Sequence, residues 1–253
     1  VTERPLVAAL ADGILSLTLN RPEKRNALSR ALIEALHGEL DRAELDGAVR
    51  AVALIGAGKD FCAGADLAEL LASADRSPEE NEADALRLGH LFLKLRQLPK
   101  PVVSLVRGNA LAGGCGLATA CDLVVASEDS RFGYPEIQRG FVPAMVLALL
   151  RRQVGERTAF DLVATGRIIG APEAQRLGMI SHVFPGERFD AGARDLLSGL
   201  VGGSATAFAL TKRLLYELDG KTFEEGVRLG ARVNALARAT PDFRTRIQSF
   251  LNR

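Results

Sequence analysis

Three features of the chain predict an α/β fold. Apolar runs of strand length recur between amphipathic helical patterns through about the first 186 residues. Two glycine-bearing segments, 61–67 and 108–117, each follow such a run and lead into a helical pattern. Beyond residue 186 the pattern is helical, with candidate helices at 189–201, 205–218 and 222–237 split by Gly202-Gly203-Ser204 and Gly220. The expected division is therefore 1–186 and 187–253.

Taken in order, residues 14–20 alternate apolar and polar side chains, as a half-buried strand does. The turn 21–26 follows, and Ser29 is placed to cap a helix with the apolar stripe Leu32, Leu36 and Leu40. A strand at 49–55 runs into Gly56-Ala57-Gly58, and Asp66 opens a short helix. Residues 73–84 are polar and charged around Pro78 and read as a mobile or variable loop. A helix at 85–97 stops at Pro99-Lys100-Pro101. A strand at 102–106, the glycine segment, a short helix at 117–121 and a strand at 123–126 complete this part. From Pro172 the pattern is mainly helical, interrupted by a short strand at 180–184. No repeat period or low-complexity tract is visible.

Composition narrows the function classes. With 47% apolar and 25% charged residues the chain is neither disordered nor fibrous. A net charge of +1 builds no field for nucleic acid, so no nucleic-acid partner is expected. The apolar run at 142–150 contains Pro143 and is too short to span a bilayer, so no membrane association is expected. Val1-Thr2-Glu3-Arg4-Pro5 has no charged-then-apolar leader pattern. Cys62, Cys115 and Cys121 form an odd set without C-x-x-C spacing. They read as small packing residues in a reduced, cytoplasmic protein.

Other motifs fail on spacing. The segment 56–60 lacks the phosphate-loop pattern, and 113–116 does not match G-x-G-x-x-G. His37, His90 and His182 have no metal-ligand spacing; His37 reads as a boundary residue and His182 as packed within a strand.

Several further segments share one pattern: Leu19-Asn20-Arg21-Pro22, Asn26-Ala27-Leu28-Ser29, 61–67, Pro99-Lys100-Pro101-Val102, 108–122, 132–143, Thr165-Gly166 and 174–178. In this order, over nearly the whole chain, they resemble the crotonase (enoyl-CoA hydratase/isomerase) family. The resemblance implies a spiral of stacked ββα units in residues 1–186 and a helical oligomerisation region in 187–253 that builds trimers or hexamers. It also implies a coenzyme A thioester as substrate, with no permanently bound cofactor.

The same resemblance assigns the site. The backbone amides of Ala65 and Gly113 match the family's pair of donors to the thioester oxygen. Each stands in a glycine-bearing segment at a helix entrance, where N–H groups lack intrahelical partners and the helix dipole favours an anion. Glu136 matches the family's acid/base. Gly116 stands where the two-glutamate hydratases carry their other carboxylate, and the space it vacates is expected to admit a bulkier acyl chain or another polar group. Tyr134, Arg139 and Glu69 are candidates for that polar role, with Arg139 also a candidate partner for a distal substrate carboxylate. Bulky Phe141 and Met145 are candidates to shape the acyl pocket. Lys24, Arg25, Ala27, Ala63, Asp66, Leu67 and Ala68 match the coenzyme A loops, while 250–253 forms a shorter tail than is usual in the family.

The implied activity is hydration or dehydration of α,β-unsaturated acyl-CoA thioesters. The alternatives are a methylglutaconyl-CoA hydratase-type enzyme of leucine and branched-chain metabolism, an isomerase or decarboxylase, and a catalytically silent acyl-CoA-binding scaffold.

Overall fold

The computed structural model describes residues 4–252. The leader reading at Val1-Thr2-Glu3 and the tail residue Arg253 lie outside them. The first half contains β1 (Leu6–Ala11), β2 (Ile14–Leu19), α1 (Arg30–Leu45), β3 (Ala51–Gly56), α2 (Leu67–Ala72), α3 (Pro78–Gln97), β4 (Val102–Val106), β5 (Asn109–Leu111) and α4 (Gly113–Ala120). Next come β6 (Leu123–Ser127), β7 (Arg131–Gly133), α5 (Ala144–Gln153), α6 (Glu156–Thr165), β8 (Ile168–Gly170), α7 (Ala171–Arg176) and β9 (His182–Phe184). The chain closes with α8 (Phe189–Gly202), α9 (Ala205–Glu217), α10 (Phe223–Arg238) and α11 (Pro241–Leu251).

A six-stranded sheet has the order β1-β2-β3-β4-β6-β9, and a three-stranded sheet the order β5-β7-β8. The β1–β2 hairpin is antiparallel, and every other pairing in the large sheet is parallel. Parallel strands covered on both faces read as continuous apolar runs, which explains the legibility of β3 and β4. One face meets the main core, including Leu32, Leu36 and Leu40 of α1 and Leu91, Phe92 and Leu95 of α3. On the other, Ala51, Ala53, Val103 and Val125 meet Phe189, Ala193 and Leu197 of α8. A boundary at residue 186 thus passes between the sheet and one of its covering helices.

Local signals hold where a side chain makes them. Ser29 Oγ accepts from Leu32 N and Asp66 Oδ1 from Ala68 N, capping α1 and α2. The expected loop at 73–84 is instead mostly helix, because Ser77 and Glu80 form a reciprocal capping box with Pro78 in the first turn of α3. The helix expected at 117–121 begins four residues earlier, at Gly113. His182 is exposed rather than packed, stacked on Phe184 in an edge strand.

Candidate active site

The two glycine segments are bound edge to edge. Cys62 N donates to Asn109 O, and Leu111 N donates to Cys62 O. Asp60 Oδ1 accepts from the backbone and side-chain nitrogens of Asn109. The approach is close enough that a Cβ on Gly114 would collide with the Cys62 carbonyl. The first loop is also held from its other side, since Leu28 N donates to Gly64 O and Asp66 N to Leu28 O.

This clamp brings the two expected donors together. A Cβ built on Gly113 would lie 3.9 Å from Ala65 N, and one built on Gly64 would lie 3.3 Å from Gly113 N. Neither the Ala65 nor the Gly113 amide donates to another described residue. Ala112, which orients the Gly113 peptide, has φ 51° and ψ −129°, a conformation L-residues rarely adopt. Strain of this kind persists where the surroundings over-determine the backbone. Two free amides at adjoining helix entrances suit an oxygen that gains negative charge.

Ala112 N donates to Gly133 O, and β5 pairs with β7. Those bonds bring the turn Pro135–Arg139 alongside α4. Glu136 in that turn is buried, and its Oε2 has no partner among the described residues. Burial pushes its carboxyl above the ordinary glutamate range, while a bond to its own backbone and the charge of Arg139 pull it back in part. The Cys62 and Cys115 thiols are pushed up to about 12 by burial, which makes them packing groups and not nucleophiles.

Other expected site residues have structural tasks. Asp66 caps α2 and holds Arg21 at 2.8 Å, and that guanidinium lowers its carboxyl pKa. Glu69, a candidate for the missing polar role, accepts from Arg30 N at the start of α1 at 2.8 Å. Tyr134 is fully buried beside Cys115 and Thr119, without a well-formed hydrogen bond to its hydroxyl. Lys24, Arg25, Leu67 and Ala68 are exposed, Ala63 is partly exposed and Ala27 is buried; Phe141 is exposed after the Glu136 turn. Met145 is partly buried against the core, near Gly89 of α3.

The expectation at Gly116 is corrected. No vacated space lies there, because a Cβ on Gly116 would collide with Val146 Cγ1 and reach Phe92 Cζ at 3.1 Å. Gly116 is a close-approach residue between α4, α3 and α5. Val146, Phe92, Leu88 and Leu28, which surround this face, are not among the site residues that the sequence points to.

The enoyl-CoA hydratase/isomerase family model matches residues 10–253. The chain is 44% identical to a putative enoyl-CoA hydratase of Thermus thermophilus over 93% of each chain. It is 35% identical to the 2,3-dehydroadipyl-CoA hydratase of Escherichia coli, over 98% of this chain and 96% of that protein. Among solved structures, an enoyl-CoA hydratase of Mycobacterium smegmatis superposes with TM-score 0.94 at 33% identity, over 99% of this chain and 97% of that one.

Proposed function

The chain belongs to the enoyl-CoA hydratase/isomerase family, and from that premise we propose a hydratase of α,β-unsaturated acyl-CoA thioesters with Glu136 as its one catalytic carboxylate. The thioester oxygen sits between the Ala65 and Gly113 amides. Glu136 takes a proton from water as the water oxygen bonds to the β-carbon. The electron pair moves onto the thioester oxygen as an enolate, held by the two amides. Glu136 then returns the proton to the α-carbon, and dehydration runs the same steps backwards. The observation that carries this reading is a buried carboxylate with an unpartnered oxygen, whose raised pKa suits proton transfer in both directions.

Coenzyme A enters as part of the substrate, with the 24–27 and 63–68 loops as its expected seat. Arg139 supports a second reading, in which the acyl group carries a distal carboxylate, as in a methylglutaconyl-type substrate. Its charge acts on Glu136 from the exposed end of the same turn, and the E. coli relative is named for a dicarboxylic thioester. Exposed Leu215, Phe223, Val227, Phe250 and Leu251 on α9, α10 and α11 support a homotrimer or hexamer, to be read by light scattering. Three buried free thiols support a reduced, cytoplasmic location.

The test is loss of conjugated-thioester absorbance across a panel from crotonyl-CoA to methylglutaconyl-CoA. Glu136→Gln is expected to lower kcat by about 10²–10⁴-fold. Binding of acyl-CoA without turnover of any panel member overturns hydration and leaves isomerase, decarboxylase or hydrolase chemistry, or the silent scaffold.

A further inference from the structure

Gly113 and Gly116 lie three residues apart on α4 and so share one face of it. A Cβ on Gly113 would touch Leu28 Cδ1 and Leu88 Cδ2, both at 3.5 Å. One turn on, a Cβ on Gly116 would meet Phe92 Cζ at 3.1 Å and Val146 Cβ at 3.2 Å. Leu88 and Phe92 are one turn apart on α3, and a Cβ on Gly89 between them would lie 3.7 Å from Met145 Cγ. The face of α4 leading away from the Gly113 amide is therefore walled by buried Leu88, Phe92 and Val146. None of these side chains carries a polar atom.

Val146 is the rigid member of this wall. A β-branched side chain in a helix has essentially one rotamer, and Phe92 and the bare backbone of Gly116 enclose it. Glu136 approaches α4 near Cys115, the residue before Gly116. On the hydratase reading, a thioester held by the Ala65 and Gly113 amides would turn its reacting carbons toward Glu136, and Val146 is the side chain that stands where a Cβ at 116 would point. We infer that Val146 is a specificity-determining residue, which restricts the enzyme to acyl groups unbranched at the β-carbon and so disfavours a methylglutaconyl-type substrate, whose β-carbon carries a methyl, while leaving an unbranched acyl group with a distal carboxylate open. The inference rests on the hydratase reading.

The test compares kcat/KM for crotonyl-CoA and 3-methylcrotonyl-CoA in the wild type, Val146→Ala and Val146→Thr. Removing both Val146 methyls is expected to raise the branched-to-unbranched ratio by about tenfold or more. Val146→Thr keeps the shape and is expected to keep the ratio. If Val146→Ala fails to fold, Val146→Cys, which removes the β-branch, is read by the same ratio. A second, non-catalytic readout is thermal unfolding: Gly116→Ala is expected to destabilise the protein, and Val146→Ala in the same chain to restore part of the loss. Wild-type turnover of crotonyl-CoA with an unchanged ratio in the smaller variant overturns the inference alone. A wild type that hydrates neither thioester overturns the hydratase reading, and the inference with it.

Discussion

Lys212 on α9 and Asp122, just before β6, form a partly buried ion pair with Nζ 2.7 Å from Oδ2. Lys212 also donates to Leu95 O and Lys100 O, which uses all three of its donors and ties α9 to the end of α3. Asp122 accepts in addition from Val102 N and from the Tyr216 hydroxyl. Burial pushes the aspartate up and the lysine down, and their mutual attraction opposes both shifts. Lys212→Met leaves Asp122 without its cation and is expected to destabilise the protein by up to about 3 kcal/mol, below the full cost of breaking a wholly buried pair. Adding Asp122→Asn should recover part of that. The midpoint of urea unfolding is the measurement.

At Gly113 the expected effect separates stability from activity. A methyl there meets Leu28 and Leu88 at ordinary contact distance, and alanine favours a helix by about 0.5–1 kcal/mol over glycine. The same methyl would stand 3.9 Å from Ala65 N, in front of the donor pair. Gly113→Ala should therefore keep its melting temperature while losing about 10²-fold in kcat/KM, the scale of one lost oxyanion donor.

The pH profile tests Glu136 as base. Its raised pKa places the acid limb of kcat/KM above the ordinary carboxylate range. Arg139 opposes that rise through its charge, so Arg139→Gln should move the limb to still higher pH. A limb that does not move would show that the titrating group is not Glu136.

The same carboxyl makes a prediction about stability. Because its folded pKa lies above the unfolded value, its contribution is fully present at low pH and is lost as pH rises through the folded pKa. Glu136→Gln should therefore be more stable than the wild type at neutral pH while being inactive. The difference should fade as pH falls below the ordinary glutamate range. Paired chemical denaturations at the two pH values decide it.

Much of the fold was legible because it is written locally. Apolar runs marked β3, β4 and β6, and Ser29 and Asp66 announced α1 and α2 through caps. Strand β1 was not anticipated: only Leu6 of its six residues is buried, so it carries no burial alternation. Helices α5, α6 and α11 carry no equally plain marks, and the polar run around Ser77-Pro78-Glu79-Glu80 reads as loop by composition although its capping box is a local helix signal.

The amino-acid sequence alone determined the family and the positions of the two glycine loops, and it proposed Glu136. Turn chemistry, helix entrances and motif order are properties of neighbouring residues. What stands in the direction a side chain at 116 would take was decided only by the tertiary structure. Val146 lies on another helix, and its place follows from how closely α5 can approach a glycine on α4. Glu69 and Asp66 likewise carry carboxylates that look available in one dimension. Folding turns the first to the Arg30 amide and the second to Arg21. Whether a polar group is free to act depends on which distant donors the packed backbone brings to it, and no local pattern encodes that.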